Sequence, residues 1–267
     1  MTNSWQRRIR RAEELAGKHS YAAEVLRFYA RIAAFQQMLY EKLESAASRT
    51  DREPRQPLAG PPELPQLIPL FGEFLSLVEK VGPARLAETA RTLRSQDQGS
   101  WAELLDQFWS ATTPEEPPEL ESFFARAFLQ PYAEFIRHRS TMQWPGYSHS
   151  LCPFCNRKPG LAVMRQMGDG GQRSLICSFC LAEWTFRRIV CASCGEQNDR
   201  KLPVYTADEF DYIRVECCDS CQHYLKTVDL TKNGLADPVV DEIATAHLDL
   251  WAGEHGYLKI EPNLVGM

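Results

Sequence analysis

Apolar side chains recur every three or four residues through the first half of the chain, the spacing of helices with one buried face. From Tyr21 to Leu43 they fall at Val25, Phe28, Ile32, Phe35 and Leu39. A Pro-, Arg- and Asp-rich break follows from Ala47 to Pro65. Further helical stretches are expected over Leu67 to Val81, Pro83 to Leu93 and Trp101 to Phe108. A second break covers Thr112 to Pro118, and Phe123 to Arg139 reads as a helix, or two, interrupted near Pro131. The aromatic positions Phe28, Phe35, Phe124 and Phe128 are read as core packing, and this half carries no catalytic constellation. Trp144 to Tyr147 reads as a linker.

Beyond the linker the period changes. Leu161 to Arg165 and Ser174 to Ile176 read as strands around a turn at Gly168 to Gly171. Leu202 to Thr206 and Tyr212 to Val215 read the same way around Asp208-Glu209. Two β-rich segments, Trp184 to Val190 and Tyr224 to Leu230, complete the pattern. The chain then returns to helix: Asp237 suits an N-cap, Pro238 the first helical position, and Asp241 and Glu242 the first turn. Val240, Ile243, His247 and Leu250 should line one side of this helix, with Gly253 or Gly256 ending it.

Cysteine spacing changes the picture most. Cys152/Cys155, Cys177/Cys180, Cys191/Cys194 and Cys218/Cys221 form four Cys-x-x-Cys pairs, and no cysteine precedes or follows this stretch. Two thiolates on one turn, matched with two from another, supply the four sulfurs of a tetrahedral site. Matching neighbours gives gaps of 22 residues (Cys155 to Cys177) and 24 residues (Cys194 to Cys218), and a repeat of about forty residues. A crossed arrangement, the first pair sharing a metal with the third, stays open at this point. Asn156 and Gly195 follow the first and third pairs and tolerate a left-handed backbone, whereas Leu181 and Gln222 follow the second and fourth, so two alternating knuckle types are expected. His149 and His223 lie beside knuckles but are read as accessory, since eight thiols complete two sites. His247 is read as a hydrogen-bonded core residue and Cys217 as a spare thiol.

The expected fold is α+β: an all-helical domain over 1–147, four-cysteine ribbon modules over 148–190 and 191–232 in rubredoxin or zinc-ribbon style, and a C-terminal helix over 233–267 packing on them. A formal net charge of −5 argues against a general nucleic-acid binder, and Arg187-Arg188 reads as a solvated strand face. No apolar run reaches membrane-spanning length, the paired arginines near the N-terminus lack a following apolar segment, and eight thiols kept for metal suit a reducing cytoplasm. Either iron or zinc fits four thiolates. A dithiol oxidoreductase would need a low-pKa thiolate at a helix N-terminus, and these pairs flank strands instead.

The run Cys152-Pro153-Phe154-Cys155, Cys177-Ser178-Phe179-Cys180 with Glu183-Trp184, Cys191-Ala192-Ser193-Cys194, and Cys217-Cys218-Asp219-Ser220-Cys221 with Tyr224-Leu225-Lys226 resembles the formate dehydrogenase accessory protein (FdhE) family. The resemblance extends through the C-terminal helix and, more weakly, to Phe128 to Tyr132. It implies a cytoplasmic, non-enzymatic maturation factor that binds the catalytic subunit of respiratory formate dehydrogenase before export. It also implies rubredoxin-like iron at Cys152, Cys155, Cys177, Cys180, Cys191, Cys194, Cys218 and Cys221. Cys217 departs from the expected family pattern. The rival reading is a structural zinc-ribbon adaptor, with nucleic acid as a conceivable contact through Arg187 and Arg188.

Overall fold

The computed structural model describes residues 2–47, 64–110, 119–168 and 170–266. The Pro-rich breaks expected over 47–65 and 112–118 therefore lie outside the described residues, apart from 47, 64 and 65, as does Asp169 of the first hairpin turn. Two compact units emerge: Met1–Ile9 with Phe28–Met142, and Arg10–Arg27 with Gln143–Met267.

The first unit is helical. It contains the start of α1 (Thr2–Lys18), most of α2 (Ala23–Ala46), and α3 (Leu64–Val81), α4 (Ala84–Arg94), α5 (Gln98–Ser110) and α6 (Glu119–Arg139). Its core is a chain of rings: Phe35, Phe71, Phe74, Phe124 and Phe128 meet at centroid separations of 5.0 to 6.5 Å, and Trp5 meets Tyr40 at 6.2 Å. The phenylalanines expected to pack do so.

Helix α6 runs unbroken through Pro131, against the interruption expected there. Proline removes the N–H that would bond the carbonyl four residues back. That carbonyl belongs to Ala127, and the buried Gln36 side chain donates to it at 2.7 Å, while also bonding Gln130 at 3.2 Å. A side chain of α2 thus replaces the missing backbone donor. The same economy joins α4 to α5, where the indole N–H of Trp101 donates to the Leu93 carbonyl at 2.7 Å.

The second unit is built on one seven-stranded sheet. Strands β1 (Pro159–Met167), β2 (Gly170–Cys177) and β3 (Glu183–Thr185) come from the first repeat, and β4 (Val204–Thr206), β5 (Ile213–Cys218) and β6 (His223–Asp229) from the second. The order β3-β2-β1-β6-β5-β4 means each repeat keeps its own antiparallel meander. The two meanders then join edge to edge, because β1 pairs with β6 in parallel, Ala162 opposite Thr227 and Met164 opposite Asp229. A short β7 (Leu258–Lys259) extends that edge of β6 beyond β1. Joining removes two edges that would otherwise need protection. The expected β-rich run over 184–190 shortens to β3: after Thr185 the Arg173 guanidinium takes the Arg187 carbonyl at 3.1 Å, and Arg187 and Arg188 lie on an exposed loop rather than a strand face.

The expected C-terminal helix is two helices, α7 (Pro238–Ala244) and α8 (Ala246–Glu254). Its start is as anticipated, with Asp237 accepting the N–H groups of Val239 and Val240 and Pro238 in the first turn. Its interruption coincides with contacts from β6. The fully buried Lys226 ammonium donates to the Glu242 carbonyl at 2.6 Å and the Thr245 carbonyl at 3.3 Å, and the Thr245 hydroxyl donates to the Asp241 and Glu242 carbonyls. At this point the Thr245 N–H bonds the Glu242 carbonyl three residues back rather than the Asp241 carbonyl four back, and Thr245 leaves helical geometry (φ −103°, ψ 38°), so α7 stops and α8 restarts in a new register. Leu250 accordingly turns out to solvent, 70% exposed, while Leu248 and Ala252 face inward.

Lys226 also pairs with Glu242 at 2.9 Å and Asp249 at 2.6 Å, Lys259 pairs with both carboxylates, Tyr224 donates to Asp249 at 2.7 Å, and Asn263 to Glu242 at 2.8 Å. Every member of this network has partners, the condition under which buried charge is tolerated. Burial alone would raise the Glu242 pKa, but Lys226 and Lys259 outweigh it and hold the carboxyl at about 2. Because that lies below its ordinary 4.5, the pairing stabilises the fold above pH 4.5 and loses its effect as pH falls toward 2. Lys226→Met should lower unfolding stability by about 3–5 kcal/mol in urea titration, because Lys259 alone is left to balance two buried carboxylates. Glu242→Gln should flatten the acid limb of stability between those two pH values.

Candidate metal centres

The Cys-x-x-Cys pairs sit in similar tight turns. The first cysteine's N–H bonds the carbonyl five residues on (Cys152 to Arg157 at 2.8 Å, Cys177 to Ala182 at 2.9 Å, Cys191 to Glu196 at 2.9 Å). The residue after the second cysteine donates back to the first, as Asn156 does to Cys152, Gly195 to Cys191 and Gln222 to Cys218 at 2.8 to 3.0 Å. The residue after the second cysteine is left-handed in all four turns: φ is 58° at Asn156, 52° at Leu181, 79° at Gly195 and 57° at Gln222. The expected alternation of two knuckle types is therefore replaced by one type used four times. Leu181 and Gln222 accept a conformation that side chains normally avoid, at a cost of about 1–2 kcal/mol each.

The turns also aim N–H groups at sulfur. Phe154 and Phe179 donate to the Cys152 and Cys177 sulfurs at 3.4 and 3.3 Å, and Ser193 and Cys194 to Cys191 at 3.3 and 3.5 Å. Such donors favour the thiolate over the thiol.

Strand pairing then brings the knuckles together by neighbours. Cys177 ends β2 and Cys218 ends β5, and the paired strand or segment carries the partner knuckle back. Cys152, Cys155, Cys177 and Cys180 gather with all sulfurs within 4.8 Å of one another, as do Cys191, Cys194, Cys218 and Cys221. This excludes the crossed pairing. Between knuckles, Cys152 and Cys180 sulfurs lie 3.6 Å apart and Cys155 and Cys177 3.3 Å, and in the second group Cys191–Cys221 and Cys194–Cys218 are both 3.7 Å. A tetrahedron with metal–sulfur bonds of ~2.3 Å has sulfur–sulfur edges of roughly 3.8 Å. The donor set, count and spacing fit a tetrahedral thiophilic ion at each centre.

The other residues singled out by the sequence stand outside both centres. Cys217 faces away from Cys218, packs with Val215 and Tyr224 in the sheet core, and has its thiol pushed up to about 12 by burial. The His223 ring bonds the Cys221 carbonyl at 2.8 Å, and His149 offers its backbone carbonyl to the Trp184 indole at 3.0 Å. His247 lies between the rings of Phe210 (5.4 Å) and Tyr21 (5.1 Å), with its Nδ1 buried and unpartnered rather than hydrogen-bonded as expected.

Two surrounding residues were not legible as site residues. Arg157 stands 4.6 Å over the Phe179 ring, and its charge acts on Cys155 and Cys177. Glu196 ties the third knuckle to the fourth: its carboxylate accepts from the Ser220 hydroxyl at 2.6 Å and from the Gln197 and Asn198 N–H groups, which together hold it at about 2. Burial pushes the Cys191 thiol up to about 12, so an ion arriving there must displace protons. An added Cβ at Gly195 meets nothing within 4 Å, so only backbone strain opposes it. Gly195→Ala should fold, as its three side-chain-bearing counterparts do, and lose about 1 kcal/mol, a fall of ~2–4 °C in the melting temperature of the metal-loaded protein.

Comparison with known proteins agrees with this geometry along the chain. Residues 1–135 match the profile described as FdhE, N-terminal; 151–188 that of FdhE, central domain; and 189–265 that of FdhE, C-terminal domain. The protein FdhE homolog of Aquifex aeolicus is 32% identical over 197 residues, covering 73% of this chain and 69% of that relative. The protein FdhE homolog of Haemophilus influenzae strain Rd is 28% identical over 280 residues, covering 96% of this chain and 86% of the relative. Among solved structures, the crystal structure of the FdhE protein from Pseudomonas aeruginosa superposes with a TM-score of 0.72 at 28% identity, covering 99% of this chain and 96% of that one. The chain, with its two four-cysteine centres and helical first unit, belongs to the FdhE family.

Proposed function

We propose that this protein is a maturation factor for respiratory formate dehydrogenase that binds the enzyme's catalytic subunit in the cytoplasm before export and catalyses no reaction of its own. The observation that carries the reading is the pair of four-thiolate centres in an FdhE family member. Four cysteine sulfurs supply a full tetrahedral set at each centre, whereas a catalytic zinc site has three protein ligands and a water or substrate in the fourth position. Among the described residues no helix is long and apolar enough to cross a membrane.

In this reading Cys152, Cys155, Cys177 and Cys180 hold one iron, and Cys191, Cys194, Cys218 and Cys221 the other, in rubredoxin style. Iron between four thiolates exchanges single electrons with little change in geometry. The chain's own part is to fix the four sulfurs by the knuckle turns and to present N–H donors that lower the cost of thiolate charge. In this reading the segment 1–147 serves as a platform, 148–190 and 191–232 as the two metal modules, and 233–267 carries the C-terminal helices.

A strain lacking the protein should recover formate dehydrogenase activity with the native chain. It should stay at least about tenfold lower with Cys191→Ser/Cys194→Ser at equal protein level. The catalytic subunit should co-purify with the native chain. Full activity from a folded double variant would remove the metal from the function, and a zinc-only protein that still binds the subunit would favour a structural docking module.

A further inference from the structure

The two centres share a ligand set and a knuckle geometry but not an environment. Around the first, Cys152, Cys177 and Cys180 are buried and Cys155 half-buried, and the third residue of each knuckle is a phenylalanine, Phe154 and Phe179, each no more than 1% exposed. Around the second, Cys194 is exposed and Cys221 half-buried, and the corresponding residues are Ser193 and Ser220, both at the surface. A cavity of about 230 Å3 is lined in part by Cys191 and Cys218. The first centre is thus the more enclosed, with two buried rings in its knuckles and the Arg157 guanidinium over one of them, whereas the second is open at Cys194 and clasped across its knuckles by the Glu196–Ser220 hydrogen bond.

We infer that the centres divide their roles: the first holds its ion for the life of the fold, and the second is the exchangeable one, opening at Cys194 to an incoming thiol or chelating ligand. Ligand exchange at a filled tetrahedral site needs a fifth donor to approach before a bond to cysteine is lost. Phe154 and Phe179 block that approach at the first centre, and Ser193 and Ser220 leave it free at the second. An incoming thiol hands its proton to Cys194 as its sulfur takes Cys194's place, so charge and proton count are conserved. The inference rests on the reading of the eight cysteines as metal ligands and is independent of any partner protein.

The test uses the full chain loaded with Zn2+ alone, challenged with excess chelator while released zinc is followed by a colorimetric dye. Two equal phases differing at least about tenfold in rate are expected. After the fast phase, iodoacetamide should label Cys191, Cys194, Cys218 and Cys221 and spare the first four ligands, as read by peptide mass spectrometry of the native protein. Ser193→Phe, at an exposed position, should slow the fast phase without touching the slow one. Release in a single phase, or early labelling of Cys152, Cys155, Cys177 and Cys180, would overturn the division of roles. A chain that takes up no zinc would overturn the ligand assignment beneath it, so the two failures are distinguishable.

Discussion

Four sulfurs held within 4.8 Å of one another are the constraint on which the second unit depends. As thiolates without a cation they would repel, and as thiols they would pack poorly and gain little. A tetrahedral ion resolves the conflict, and the local fold is arranged around that solution. Each knuckle carries a left-handed residue, three of the four being non-glycine, so the backbone bears strain that only the closed turn and its ion compensate.

The sheet follows from the knuckles. Because β2 and β5 run straight into Cys177 and Cys218, fixing the sulfurs fixes the ends of both meanders and the register of β5 against β6, Cys218 opposite His223. The parallel seam between β1 and β6 then makes one sheet of two repeats. On that sheet, Lys226 stands only five residues beyond Cys221, and it bonds the carbonyls where α7 gives way to α8 and anchors Glu242 and Asp249. The metal region and the C-terminal helices are linked through β6.

Much of this was legible in the sequence. The four Cys-x-x-Cys pairs, the gaps of 22 and 24 residues and the flanking β-rich runs pointed to two centres with neighbour pairing favoured, the crossed pairing falling only to the sulfur positions, and Asp237-Pro238 was sufficient for the start of α7. What escaped was non-local. Nothing near Pro131 says that Gln36, ninety-odd positions earlier, supplies the missing donor to Ala127. Nothing near Thr245 says that a lysine on β6 takes its carbonyl. The alternation inferred from Leu181 and Gln222 failed because side-chain preference is a weak guide to φ in so tight a turn. The third knuckle position, phenylalanine in one pair of knuckles and serine in the other, was visible in the sequence but gained meaning only once burial separated a more enclosed centre from a more open one.

The measurement that bears most directly on the account is the metal content and visible spectrum of protein purified without oxygen and without added metal. The account predicts two irons per chain, with thiolate-to-iron absorption that appears on oxidation and bleaches on reduction. Protein that is folded, free of bound metal and open to alkylation at all eight knuckle cysteines would contradict it.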